Sequence, residues 1–214
     1  MEFSSLLNFV SKVKKNVLPG EEFQYQMAPL FRQDELKKST VKDKNPNEAG
    51  VLALLYPKND IAYMAFILRK TYKGVHSNQI GFPGGRVEDE DQTYLETAIR
   101  ETEEEIGVCA ENIKPIRALT ELYIPPSNFL VHPFLGFIDY EPIFVLQEDE
   151  VENILEIPLA DCLDESKIKQ EIINASYAKQ INVPAFNFDG NIVWGATAMI
   201  LSEIREIFNR LDKV

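Results

Sequence analysis

Arg100-Glu101-Thr102-Glu103-Glu104-Glu105 is where this chain of 214 residues concentrates its ionisable chemistry. On an α-helix each residue turns by about 100°, so positions i, i+3 and i+4 share one face. Glu101, Glu104 and Glu105 are therefore predicted to project together, and three crowded carboxylates repel one another unless a cation lies among them. A hard divalent ion with oxygen ligands answers that need, and protein-bound Mg²⁺ is usually shared with substrate phosphates. An acidic run alone is more often a solvated helix face, so the neighbouring residues carry the argument. Phe82-Pro83-Gly84-Gly85 reads as a rigid turn whose glycines let the backbone approach a ligand closely. Arg100 offers a planar fork able to orient carboxylates, and Gly107 is placed to end the helix.

This constellation resembles the Nudix box, G-x5-E-x7-R-E-U-x-E-E-x-G-U, in which U is a bulky aliphatic residue. Gly85 stands as the first Gly, and Arg100-Glu101, Glu104-Glu105, Gly107 and Val108 fit the second half. Two departures show: Asp91 replaces the isolated Glu, with eight residues instead of seven before Arg100, and Thr102 replaces the aliphatic U. The added residue and the acid at 91 resemble boxes of the coenzyme A pyrophosphatase branch. Upstream, Leu68-Arg69 followed by KTYKGVHSNQIG and Phe82-Pro83-Gly84-Gly85 is similar to that branch's signature of a strand ending in Arg, a basic stretch, a Gly and FPGG. Asn78 stands where the signature has Gly. Residues 123–134 and 192–198 look like segments of the same branch, so the similarity spans roughly 48–205.

The resemblance implies an α/β fold, a Nudix-type α/β/α sandwich with a mixed sheet and a catalytic loop-helix-loop. It implies Mg²⁺ or Mn²⁺ held by Glu101, Glu104, Glu105 and the Gly85 carbonyl, with Glu101, Glu104 and Arg100 catalytic. Arg69, Lys73, His76, Phe82, Gly84 and Arg86 are the candidates for substrate binding. The expected reaction is hydrolysis of the pyrophosphate bond of coenzyme A or its acyl derivatives, giving 3',5'-ADP and 4'-phosphopantetheine. Two other readings stay open: a Nudix pyrophosphatase for ADP-ribose or a dinucleotide, and a catalytically silent nucleotide-binding module. The general base is Glu101 or Glu104, or Glu150 from outside the box; for Glu150 the ordinary role of a charge at a helix N-terminus ranks first. Glu88 and Asp91 are read as a peripheral metal site or a solvated loop. His132 is read as a structural hydrogen-bonder and Trp194, the single tryptophan, as core packing.

The elements that must position these residues are legible in outline. Met1–Lys15 carries apolar residues at helical spacing, so residues 1–20 are assigned to an N-terminal amphipathic helix and 21–214 to the hydrolase domain. That helix hints at a homodimer. Residues 28–49 read as irregular. Gly50–Tyr56 and Ile61–Leu68 read as strands around a turn at 57–60. Ile116–Leu122, Phe134–Tyr140 and Ile143–Leu146 are strand-like; Glu148–Leu155, Leu159–Leu163 and Thr197–Leu211 are helix-like. A net charge of -12 argues against general nucleic-acid or anionic-membrane surfaces and leaves a small nucleoside diphosphate-linked substrate open, since a bound cation reverses the local field. Cys109 and Cys162 have neither CxxC nor metal-ligand spacing and suit a reducing compartment. With no apolar run of about 18 residues and no signal-peptide pattern, a cytoplasmic protein is the expectation.

Overall fold

A computed structural model describes residues 1–30, 32, 44–71, 78–175 and 178–211. At its centre lie two antiparallel strands, β1 (Asn47–Lys58) and β2 (Ile61–Arg69). They join through Asn59 and Asp60, both at positive φ, a two-residue turn whose twist suits a hairpin. β1 pairs in parallel with β7 (Phe129–Phe137), which in turn pairs with β5 (Lys114–Ala118) and β6 (Leu122–Ile124), so the sheet is mixed. β8 (Val151–Pro158) covers the other edge of β2.

β1 and β2 pair only near their hairpin, over Leu55–Lys58 and Ile61–Met64. Beyond it they part, and β3 (Ile80–Gly81) pairs with β2 while β4 (Gly84–Arg86) pairs with β1. The Phe82-Pro83-Gly84-Gly85 turn therefore lies in the fork between the two central strands, where the Leu52 N–H donates to the Pro83 carbonyl at 2.9 Å.

Both sheet faces are covered, which is why GVLALLY is apolar throughout instead of alternating. Leu52, Leu54 and Tyr56 pack with Ala98 and Ile106 of α3 (Tyr94–Ile106). Ala53, Leu55, Met64 and Phe66 pack with Ile200, Leu201, Ile204 and Phe208 of α5 (Gly195–Leu211). Phe3, Leu6 and Val13 of α1 (Phe3–Lys15) enter this second core, and the Arg117 guanidinium donates to the Val13 and Asn16 carbonyls at the helix end, 2.7 Å each. The result is the α/β/α sandwich. A short α2 (Glu21–Tyr25) follows α1, and α4 (Leu159–Leu163) follows β8. A separate antiparallel sheet of β9 (Ile168–Ala175), β10 (Ala178–Phe188) and β11 (Asn191–Val193) leads into α5.

Two expectations are corrected. Glu148–Leu155 is not a helix: its last part belongs to β8, and residues 148–150 form a turn closed by Glu150 and Val151 N–H groups on the Gln147 carbonyl. Ile143–Leu146 is not a strand; Val145 and Gln147 N–H groups instead bond the Ile106 and Glu105 carbonyls at the end of α3. Most of the stretch expected to be irregular, 28–49, lies outside the described residues, and β1 already begins at Asn47. Among the described residues no helix is long and apolar enough to cross a membrane.

Candidate active site

α3 begins where its sequence says it should. The Thr93 hydroxyl caps the helix by accepting from the Glu96 N–H at 3.2 Å, and the Glu96 carboxylate accepts from the Gln92 N–H at 2.7 Å. It ends at Gly107, whose φ of 71° is left-handed. Thr102, the departure from an aliphatic residue, is buried, and its hydroxyl is satisfied by the Ala98 carbonyl at 2.6 Å.

Asp91 organises the acidic face. Its carboxylate accepts from Arg100 Nε at 3.0 Å and Nη2 at 2.9 Å, from Thr97 Oγ1 at 2.9 Å and from the Glu88 N–H at 3.0 Å. With a side chain only 4 % exposed, Asp91 is no solvated loop residue, which corrects that reading; Glu88 is exposed. The Arg100 hydrogen bonds hold the Asp91 carboxyl well below the usual carboxylate range. Thus fixed, Arg100 uses Nη1 on Glu101 at 3.2 Å and on Glu104 at 3.1 Å, and Nη2 on the Arg86 carbonyl at 3.2 Å. Asp91 and Arg100 together set where Glu101 and Glu104 stand.

Glu105 faces inward, 1 % exposed. Its two oxygens accept from Arg69 Nη1 at 3.0 Å and from the Gly84 N–H at 2.8 Å. Burial pushes the Glu105 carboxyl up to about 7, against the opposing influence of the Arg69 charge and the Gly84 N–H. Arg69 also donates to the Gly84 carbonyl at 2.6 Å, so it ties the end of β2, the turn and α3 together. Glu101 is raised by burial, with Arg100 opposing and Glu104 and Glu150 adding to the rise. Glu104 is the exposed member, at 56 %.

Gly85 explains why the turn needs a glycine there: a Cβ on it would sit 2.4 Å from the Glu101 carboxylate. Gly84, at φ 144°, would likewise press on the Gly50 carbonyl and Val51. The box turn and α3 are thus in contact at the carboxylates themselves.

Glu150, exposed in the turn just before β8, is close enough to raise both Glu101 and Glu105. The strand, which was not foreseen, carries it there: its carbonyl accepts from the Lys70 N–H at 2.8 Å, beside Arg69. Counted together, the five carboxyl groups of Asp91, Glu101, Glu104, Glu105 and Glu150 stand against the two guanidinium groups of Arg69 and Arg100. Among the described residues no three acidic, histidine or cysteine side chains already converge on one point as a closed ion cage.

A cavity of about 240 Å³ opens beside this cluster. Arg69, Gly84, Gly85 and Arg86 supply its polar lining, and Phe82 lines it beside them. Lys73 and His76, the other two substrate-binding candidates, lie outside the described residues. The remaining wall is apolar and was not singled out residue by residue from the sequence: Ile124, Phe129, Val131, Ala196 and Ile200, with Thr197 donating to the Ile80 carbonyl at 3.2 Å. Residues 123–134 and 192–198 resemble segments of a coenzyme A-type branch, but pattern alone does not tell which side chains face inward. Trp194 is half-buried and lines a second, smaller cavity instead of filling the core. His132 lies between Glu48, 2.6 Å from Nε2, and Glu121, 3.4 Å from Nδ1, stacked 3.6 Å from the Tyr94 ring.

A family model described as NUDIX domain matches residues 45–175. A peroxisomal coenzyme A diphosphatase of Caenorhabditis elegans is 30% identical over 174 residues, covering 80% of this chain and 73% of that protein. An uncharacterized Nudix hydrolase, NudL, of Yersinia enterocolitica is 31% identical over 134 residues, covering 63% of this chain and 68% of its own. In fold, the chain is similar to a Nudix hydrolase from M. smegmatis, with a TM-score of 0.53 at 14% identity over 78% of this chain and 88% of that one.

Proposed function

Because the chain belongs to the Nudix family, we propose that it is a divalent-metal-dependent pyrophosphohydrolase of nucleoside diphosphate conjugates, with coenzyme A and its acyl derivatives as substrates. The observation that carries the reaction type is the acidic cluster beside the cavity, five carboxyl groups gathered around the two arginines that organise it. The residues fit a hard cation: an all-oxygen donor set, two carboxyls whose charge burial disfavours, and a glycine that leaves the Glu101 oxygens uncovered.

Glu101 and Glu104, with Glu105 and the Gly85 carbonyl, would hold Mg²⁺ or Mn²⁺. Such an ion supplies a Lewis acid for the phosphoryl oxygens and lowers the pKa of a bound water. The chain's own residues do the rest. Asp91 locks Arg100, and Arg100 keeps Glu101 and Glu104 from splaying apart. Glu105 holds Arg69 at the cavity wall, where Arg69 and Arg86 bring positive charge to the pyrophosphate oxygens and to the leaving phosphate. The proton of the attacking water passes to a carboxylate, for which Glu101, Glu104 and Glu150 are the candidates. Water attack on one phosphorus breaks the bridging P–O bond and yields 3',5'-ADP and (acyl-)4'-phosphopantetheine.

Coenzyme A is favoured by two observations. The relative from Caenorhabditis elegans carries that activity in its name. Asn78, where the resembled signature has Gly, lies at φ 56°, a left-handed conformation that Gly adopts freely and Asn tolerates best among the others; the substitution is therefore compatible with a glycine-like backbone. A second reading, ADP-ribose or a dinucleotide, is favoured by the cavity lining, since among the described residues only Arg69 and Arg86 are charged there and both serve a pyrophosphate without a further phosphate. Competition decides between them. Inhibition of turnover by 3',5'-ADP at concentrations where ADP-ribose has no effect supports coenzyme A; the reverse order transfers the assignment to the second reading.

A further inference from the structure

Behind the main cavity lies a second one of about 60 Å³, lined by Leu122, Tyr123, Pro125, Pro126, Trp194 and Met199, with Ala28, Pro29 and Gly195 at its margins. Ile124 and Ala196 line both cavities, so the two adjoin at these residues. From this juxtaposition we infer that the smaller chamber is a subsite for an aliphatic chain at the far end of the substrate, the acyl group of an acyl-coenzyme A. The inference rests on the coenzyme A reading above and adds the residues that select the acyl chain.

Size and chemistry choose this occupant. The chamber is a quarter of the volume of the first, suited to a slender chain and not to a nucleobase. Its lining offers proline, leucine, methionine and tryptophan surface, whereas a base edge calls for several convergent polar groups. Among the described residues Arg32 is the one charged residue of the lining, and an arginine stem lies readily along apolar surface. The Tyr123 hydroxyl is committed to Asn128 Oδ1 at 2.9 Å. A Cβ placed on Gly195 would meet no described residue within 4 Å.

The dividing wall is held in shape. Ser127 and Asn128 N–H groups close the turn on the Ile124 and Pro125 carbonyls, at 3.3 Å each. The Asn128 side chain donates to the Lys44 carbonyl at 3.3 Å, and the Asn128 carbonyl accepts from the Asn47 N–H at 2.9 Å. A preformed wall lets chain length be read as affinity, because little ordering is required on binding.

Trp194 is the only tryptophan in the chain, so its emission reports this chamber alone. The test titrates the wild-type protein, in EDTA to prevent turnover, with free coenzyme A and with its acetyl, butyryl, hexanoyl and octanoyl thioesters. Steady-state kinetics with Mg²⁺ on the same series accompany it. The expected result is a Trp194 emission change absent with free coenzyme A and growing with chain length, and a KM falling by up to about fourfold per methylene for the first few added. In Trp194→Ala the ratio of kcat/KM between the octanoyl thioester and free coenzyme A collapses toward one. Hydrolysis of all members with silent emission and no chain-length trend overturns the subsite while leaving the pyrophosphatase reading intact. Absence of turnover on every coenzyme A species, in a protein that hydrolyses ADP-ribose, overturns the reading on which the subsite rests.

Discussion

Replacing Asp91 by Asn tests the part of the site on which the rest depends. The change keeps side-chain shape but removes the charge and turns an NH₂ group toward donors. Asp91 accepts four hydrogen bonds, two of them from the Arg100 fork. Breaking a buried ion pair costs about 3–5 kcal/mol. Arg100 is 23 % exposed and keeps Glu101 and Glu104 as partners, and Asn retains one acceptor, so the loss at pH 7 is set at about 2–3 kcal/mol. For a chain of this size that lowers Tm by about 4–12 °C. The pH dependence has a definite sign. Since the folded Asp91 carboxyl titrates below its unfolded value, its stabilisation is complete above about pH 4 and is lost as pH falls through the folded pKa. Denaturant unfolding of wild type and variant should thus show a constant gap from pH 8 to 5 that narrows on further acidification. A gap below about 0.5 kcal/mol at pH 7, or one that widens in acid, refutes the reasoning.

Other substitutions read other contacts. Gly85→Ala drives a methyl into the Glu101 carboxylate and should lower kcat by about a hundredfold or more while Tm moves little, because displacement of a reacting group by about 1 Å has that effect; unchanged kcat would contradict the assignment. Arg69→Lys cannot serve Glu105 and the Gly84 carbonyl at once, and kcat/KM should fall by about 10–100-fold with roughly 1–2 kcal/mol of stability lost, as read by kinetics and denaturation together. Glu203, fully buried on α5, accepts from the Gly20 N–H, Gln24 Nε2 and the Thr120 N–H and hydroxyl. Glu203→Gln should cost about 2–4 kcal/mol in denaturant unfolding with KM unaltered, since its role is to hold the N-terminal segment to the sheet.

What was legible in the sequence was what is encoded locally. The end of α3 follows from Gly107, and the paired strands from apolar runs around the turn at 57–60. Helical periodicity brings Glu101 and Glu104 to one Arg100 fork, whereas Glu105 turns inward onto Arg69 and the Gly84 N–H. What was missed depends on distant partners. Val151, Ile154 and Leu155 satisfy a helical spacing equally well, and it is the open edge of β2 that draws them into a strand. That strand is also what brings Glu150 to the acidic cluster. Asp91 looked like a loop acid because its four donors come from Glu88, Thr97 and Arg100, and only folding brings the Arg100 fork onto it. The apolar wall of the cavity joins residues from β1, β6, β7 and α5, and no local pattern announces that Ile124, Val131 and Ile200 face one space.

The most direct test of the central claim is Mg²⁺-dependent hydrolysis of a panel of coenzyme A, acetyl-coenzyme A, ADP-ribose, NADH and diadenosine polyphosphates, with Glu104→Gln beside the wild type. Glu104 is exposed and, among the described residues, bonded only through Arg100, so its loss should leave the fold intact. The predicted result is release of 3',5'-ADP from coenzyme A species, abolished by EDTA and reduced at least about hundredfold in the variant. Turnover that survives both EDTA and Glu104→Gln would contradict the claim that this acidic helix face performs metal-dependent pyrophosphate hydrolysis.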